Sequence, residues 1–324
     1  MAEWSIRAIQ NLILEKKEWD KKNLYATDSE KCARGLYYAL TGEKETSPDD
    51  PQSLRRMEVG SMIEYNQVKK LRKLGILIEA QRRIYDEEFN VSGRHDGIII
   101  NPEECTERAK ELIERKKKIF DLQEELDKED YGLVEQYRNK EISREELLSK
   151  KFEIITKKQD LYDEDWEANQ ELLIPDPNNS LMVIEIKSIT EKGFEWRKND
   201  GQPMEGHRKQ AMFYLWKLMD LYPNIKSRVV YVDTSFQNIL EFDISLDLDY
   251  LEDMKGYWTY INNCVKNKEL PMLPPSIVEN PMKRSYRWQV NYQADWCKYH
   301  IKCTGDPNWK TKAIQEVERL NGKK

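Results

Sequence analysis

One stretch constrains the fold more than any other: the apolar run Leu181-Met182-Val183-Ile184 passes without interruption into Glu185-Ile186-Lys187. The turn-forming residues Pro175-Asp176-Pro177-Asn178-Asn179 precede it, so the run is bounded as a buried strand is. Side chains alternate along a strand, which puts Glu185 and Lys187 on one face and Ile184 and Ile186 on the other. Charges at the end of a core strand cost free energy unless they are paired or bind a metal. Two readings follow: an ion pair that closes a strand end, or a carboxylate and a cation placed for chemistry.

Other elements each offer a polar group. Phe89 to Ile100 reads as a second strand, with Asp96 inside Gly93-Arg94-His95-Asp96-Gly97, and a lone acid entering an apolar strand is the second carboxylate that a hard divalent cation needs. Strict alternation sends the neighbouring His95 to the opposite face, which leaves it out of the site. Arg56 to Leu74 is helical and sets Gly60 above Glu64, the glycine allowing close approach to a neighbouring element. His207 to Leu218 is helical too, with Gln210 and Tyr214 on one face; His207 lies at its start and is set aside.

In order, helix Gly60-x3-Glu64, strand Gly93-x2-Asp96-Gly97, strand Glu185-x-Lys187 and helix Gln210-x3-Tyr214 resemble the motif set of the RecB-like exonucleases of the PD-(D/E)XK nuclease superfamily. The likeness is nearest to phage-encoded and CRISPR-associated members and spans roughly residues 23–244 apart from one insertion. It implies an α/β fold with a restriction-endonuclease-like core, a central mixed sheet of about five strands flanked by helices. It also implies Mg²⁺ or Mn²⁺ held by Glu64, Asp96, Glu185 and the backbone carbonyl of Ile186. Many members of that branch carry His where this chain has Glu64. Lys187 would hold the attacking water or offset developing negative charge, and Gln210 and Tyr214 would orient Lys187 or touch a phosphate. The implied activity is divalent-metal-dependent hydrolysis of DNA, by an exonuclease that processes phage or mobile-element DNA. An endonuclease of the same superfamily, or a non-catalytic module that binds DNA ends or a partner, stays open. Three histidines are too few to assemble a Ser/His/Asp or Cys/His nucleophile set, and no Gly-rich phosphate loop is present, so no nucleotide cofactor is expected.

The strands bearing Asp96 and Glu185 are expected to be neighbours, the second and third of the sheet, yet a long helical insertion separates them in sequence. It is dense in Glu, Lys and Arg, with apolar residues at Leu112, Ile119, Leu122, Leu126, Leu147, Leu148, Ile154, Ile155 and Leu161. That spacing predicts two or three helices folded into an antiparallel arm around its own seam, with Gly132 and Asn139 to Ser143 as places to turn. The chain divides into 1–100 (N-terminal helices and first part of the core), 101–175 (the arm), 176–268 (second part of the core) and 269–324 (a C-terminal tail). Residues 2–18 predict an amphipathic helix, and Ile76 to Tyr85 with Phe89 to Ile100 predict a hairpin turning at Asp86-Glu87-Glu88.

No apolar run approaches 18 residues, so no membrane span is expected, and Met1-Ala2-Glu3-Trp4 does not open a secretory signal. Five cysteines, an odd number, argue for a reducing cytoplasm rather than a disulfide framework. The net charge of −6 excludes a protein that coats DNA, although a local basic channel remains compatible with it. Candidate nucleic-acid contacts are Arg56, Arg94, Trp196, Arg197, Lys198 and Arg208; the cluster Phe194 to Lys198 reads either as a stacking platform for single strands or as a loop folded onto the body. The arm offers a surface to a protein partner. Relatives with an iron–sulfur cluster pair an early Cys with Cys-x2-Cys-x5-Cys. Cys32, Cys297 and Cys303 fit three of those places, and Ala294 stands at the fourth. His300 lies midway between the last two cysteines, so three outcomes compete: an iron–sulfur cluster, a Cys3His Zn²⁺ site, or thiols packed as small hydrophobes.

Overall fold

The computed structural model describes residues 21–46, 51–280, 287–291, 293 and 297–322. The helix expected over residues 2–18, and Ala294 and Trp296 of the cysteine segment, lie outside them.

A short strand β1 (Leu24–Tyr25) leads into a 3-10 turn, then α1 (Ala33–Leu40) and α2 (Pro51–Lys73). Four short strands follow: β2 (Leu77–Ala80), β3 (Arg83–Asp86), β4 (Val91–Arg94) and β5 (Gly97–Ile100). The expected hairpin exists, but both of its arms break halfway. Gln81 adopts a left-handed φ of 59° in one arm, and His95 and Asp96 leave strand geometry in the other. The inner halves β3 and β4 pair antiparallel, with β1 alongside β4, in a small three-stranded sheet. The outer halves β2 and β5 pair antiparallel in the main sheet.

The insertion forms two helices, α3 (Glu107–Arg138) and α4 (Arg144–Leu172), after which come β6 (Leu181–Ile189), α5 (Glu191–Asp200) and α6 (Glu205–Met219). The chain continues through β7 (Lys226–Asp233), β8 (Ile239–Ile244), α7 (Leu248–Asn267), β9 (Ile277–Glu279), β10 (Trp288–Val290), α8 (His300–Thr304) and α9 (Trp309–Leu320). The main sheet runs β2-β5-β6-β7-β8, with β6 and β7 parallel and the remaining pairs antiparallel. It is a mixed five-stranded sheet flanked by helices.

β6 lies at its centre, and its unbroken apolar run has a physical cause. One face of the sheet packs Val183, Ile98 and Val229 with Phe213, Tyr214 and Trp258 of α6 and α7. The other packs Met182, Ile184, Ile186 and Val232 with Ile63 of α2. A strand covered on both faces reads as continuous hydrophobic sequence.

Three expectations change. Gly132 continues α3 rather than turning, so the arm has two helices, capped by Thr106 and Ser143 and reversed at Asn139 to Ser143 as expected. The arm also does not bury a seam wholly its own: Ala109, Leu112, Ile113, Ala168 and Leu172 join the main core at its base. There Lys116 is buried, its ammonium 2.5 Å from both Asp165 Oδ1 and Asn169 Oδ1, which clamps α3 to α4. Finally, residues 191–200, expected within a loop, are helical because Thr190 caps the first turn by accepting from Gly193 N at 3.2 Å and Gly201 closes the last at φ 66°.

Candidate active site

The site forms where β5 begins and β6 leaves the core. Gly97 pairs with Ile184, so Asp96, immediately before Gly97, comes alongside the Glu185 end of β6. Asp96 is buried, and its Oδ2 accepts from the Ile186 amide at 2.6 Å. The Ile186 N–H makes this contact, which does not involve its carbonyl, the expected metal ligand. Glu185 is 2 % exposed, with Oε1 2.5 Å from Lys187 Nζ, as strand alternation requires. Its Oε2 is buried with no hydrogen-bond partner.

Glu64 reaches the same place from α2, and Gly60 explains how that helix comes so near. A Cβ on Gly60 would lie 3.0 Å from Ser188 Oγ on β6, a tight contact that hydrogen avoids. Glu64 and Asp96 are bridged by one side chain: Gln81 Nε2 donates to Glu64 Oε1 and, at 3.3 Å, to Asp96 Oδ1. Gln81 was absent from the sequence reading. Its placement depends on its left-handed backbone, and a Gln in a β-rich run carries no signal for that conformation.

The electrostatics follow from burial. Desolvation, then the charges of Glu185 and Glu64, push the Asp96 carboxyl up to about 8 against the weaker pull of the Ile186 amide and Lys187. Burial also raises Glu185, opposed by Lys187. For Lys187, burial favours the neutral amine, but Glu185, Asp96 and Glu64 outweigh it and hold the ammonium charged.

Gln210 and Tyr214 bond to each other, and Tyr214 bonds to the Arg94 backbone. Gln210 Nε2 donates to Tyr214 Oη at 2.9 Å, Arg94 N–H donates to the same oxygen at 3.2 Å, and the Tyr214 hydroxyl donates to Arg94 O at 3.1 Å. The pair thus fixes the backbone just before His95 and Asp96. A Cβ on Gly93 would lie 2.5 Å from Tyr214 Cε1, so the ring fits only against glycine. Gln210 Oε1 is buried without a partner.

His95 is packed and hydrogen-bonded, as its exclusion from the site anticipates, but not through strand alternation. The strand breaks at this residue, so alternation does not apply, and its fully buried ring stands edge-on to Tyr214 at 6.2 Å. Its Nε2 lies 3.2 Å from Glu79 Oε1, and its Nδ1 has no partner. Burial would raise Glu79, but His95 and Arg82 hold it below the ordinary carboxylate range. His207 is also nearby, yet it is structural: Nδ1 lies 2.8 Å from Tyr231 Oη, and burial, with Lys187 and Arg197 close, pushes its pKa down to about 3.

The candidate nucleic-acid residues divide. Arg56, Arg94, Trp196 and Lys198 are exposed. Arg197 instead pairs with Asp200 at 2.6 Å, and Arg208 with Asp247 at 3.2 Å while lying over the Tyr250 ring. Trp196 is on α5 with Lys192 over its ring, and Phe194 packs onto the body from the same helix.

Cys32, Cys297 and Cys303 come together in a chain of thiol contacts, with Cys297 Sγ 2.9 Å from where a Cβ on Gly35 would sit. The Cys303 thiol is lowered by its bond with Cys297. His300 Nδ1 lies 2.9 Å from Cys297 O, and its ring packs on Trp309 at 5.2 Å. Among the described residues, no three or more His, Cys, Asp or Glu side chains are arranged as a metal cage, here or at Asp96.

The fold and site define an α/β protein in which acids from a helix, a strand break and a strand meet beside a half-buried lysine. The sequence matches no family model and no curated protein. A solved structure titled "Crystal structure of SSO0001" superposes with a TM-score of 0.42 at 14% identity, over 94% of this chain and 96% of that one, a likeness too loose to define a family or a chemistry.

Proposed function

We propose that this chain is a divalent-metal-dependent nuclease that hydrolyses DNA phosphodiester bonds on a PD-(D/E)XK-type core. The observation that carries the proposal is the Asp96 carboxyl, pushed up to about 8 by burial beside Glu185 and Glu64, with Lys187 on the same strand face. Buried acids crowded in this way are costly without a cation, and perturbed groups of this kind concentrate at functional sites.

The donor set suits Mg²⁺ or Mn²⁺: Asp96, Glu185 and Glu64 supply hard oxygen ligands, and Glu185 Oε2 is buried with no protein partner. Gln81 and Lys187 engage these acids instead, which accounts for the missing cage; binding requires Gln81 to give up its bridge. A bound divalent cation supplies Lewis-acid activation of water and of the phosphate. Lys187 holds a positive charge where negative charge builds on the phosphate oxygens. Gln210 and Tyr214 hold the Arg94 backbone and so the position of Asp96. Exposed Arg94, two residues before Asp96, is placed to meet the DNA backbone.

The motif order favours DNA ends as substrate. Incubation with Mg²⁺ or Mn²⁺ and end-labelled linear or circular DNA, single- and double-stranded, tests both parts. Linear DNA is expected to be shortened and circular DNA spared. Cleavage of circles assigns an endonuclease, and undiminished digestion by Lys187→Ala overturns the catalytic assignment.

A further inference from the structure

α4 carries a second apolar seam, distinct from the one that faces α3. Leu148, Phe152, Ile155, Tyr162 and Trp166 follow heptad spacing with only Gln159 out of character, and each is between 57% and 71% exposed. The face turned to α3 is identified by cross-helix ion pairs: Lys151 with Asp130, Lys158 with Asp127, and Asp165 with Lys116. At the helical period the exposed seam begins about 40–60° beyond those ion-paired residues, at Leu148, Ile155 and Tyr162, and extends to about 100° at Phe152 and Trp166, on the side away from the buried Ile154 and Ala168.

An exposed stripe containing three aromatic rings marks an interaction surface. Its charges say what it meets. Residues 144–158 carry a net charge of +2 and residues 159–172 one of −6; once the ion pairs with α3 are set aside (Lys151 and Lys158 in the first half, Glu164, Asp165 and Glu171 in the second), the first half is neutral and the second keeps −3. The acidic half repels nucleic acid and anionic membranes. A parallel copy of the same helix would set acid against acid, whereas an antiparallel copy sets the acidic half against the neutral half and avoids that repulsion.

We propose that α4 is a homodimerisation helix: two copies of this chain pair antiparallel through the seam, about a two-fold axis near Lys157. In that register Leu148 faces the partner's Trp166, Phe152 the partner's Tyr162 and Ile155 the partner's Gln159. The contact is isologous and therefore closed. It spans about 27 Å of helix. Covering the five side chains removes roughly 1,000–1,200 Å² in total from the two copies, which reaches the size of a specific interface. The proposal does not depend on the nuclease reading.

Analytical ultracentrifugation of the full chain across the micromolar range tests it. A monomer–dimer equilibrium is expected, and each of Phe152→Ser and Trp166→Ser should raise the dissociation constant by about 30-fold. Measured below the dimer dissociation constant, where the chain is monomeric, their thermal melts should match the wild type, since both side chains are exposed in the monomer. Mixing Leu148→Cys and Trp166→Cys chains under mild oxidation should yield a disulfide-linked peptide joining residues 148 and 166, absent from either variant alone. A wild-type chain that stays monomeric, a dimer untouched by both serine variants, or a 148–148 cross-link in the Leu148→Cys variant alone overturns the proposal.

Discussion

Replacing Asp96 with Asn should stabilise the metal-free protein, by an amount that follows from the site. The carboxyl has an ordinary value of 3.8 and is held at about 8 in the folded chain, chiefly by burial and then by Glu185 and Glu64. Below pH 3.8 it is protonated in both states and contributes no pH dependence. As pH rises towards 8, the unfolded chain releases this proton first, so the folded state loses stability across that window and the loss levels off above it. At pH 7 the full difference is worth about 4 kcal/mol, and sharing of charge among three acids brings the expected recovery nearer ~2 kcal/mol. Asn keeps an acceptor for the Ile186 amide, so the 2.6 Å bond survives. For a chain of this size the gain is a melting temperature raised by about 4 °C at pH 7. The assay is thermal unfolding of wild type and Asp96→Asn in EDTA from pH 4 to pH 8, repeated with Mg²⁺. The advantage of the variant should be absent at pH 4, grow towards pH 8, and shrink or reverse with Mg²⁺, which the wild type binds better. A variant less stable than wild type at pH 8 in EDTA, or a difference flat with pH, refutes the account of three mutually repelling acids.

Gly93→Ala should cost about 1–3 kcal/mol, because its Cβ would press on Tyr214 Cε1 at 2.5 Å; denaturant unfolding checks it. Leu112→Ala and Leu172→Ala at the arm's base should each cost about 2–5 kcal/mol, while Tyr162→Ser near the middle of α4 should stay within ~0.5 kcal/mol, by the same assay on the monomer. Replacing residues 121–160 with a short turn should leave a folded chain, whereas removal of 102–172 exposes the core and should not; circular dichroism and proteolysis distinguish the two. With His300 turned to the Cys297 carbonyl, anaerobically purified protein should be colourless and hold no stoichiometric zinc. A brown protein with iron and sulfide, or one zinc per chain, would show that the thiols recruit a ligand.

Much of the scaffold is legible in the chain because its causes are local. β6, the shared face of Glu185 and Lys187, the pairing of Gln210 with Tyr214 and the reversal at Asn139 to Ser143 all follow from backbone periodicity and turn chemistry, which neighbouring residues set. Gly60 likewise announces a close approach, although not to which atom. The rest is long-range. Alternation predicts that His95 turns away from Asp96, but it does not apply there, because both residues fall in the break between β4 and β5, whose halves serve different sheets, and no residue there signals the break. Gln81 joins Glu64 to Asp96 only because tertiary packing holds a left-handed conformation that its own chemistry disfavours. The base of the arm belongs to the core because β2, β5 and α2 present apolar surface to it, something the arm's own periodicity cannot express. Sequence by itself determined which side chains carry charge and which face of an element they occupy. Only the tertiary structure decided which of them meet, because meeting depends on sheet register and on the loss of water around each group, and both are set by residues distant in the chain.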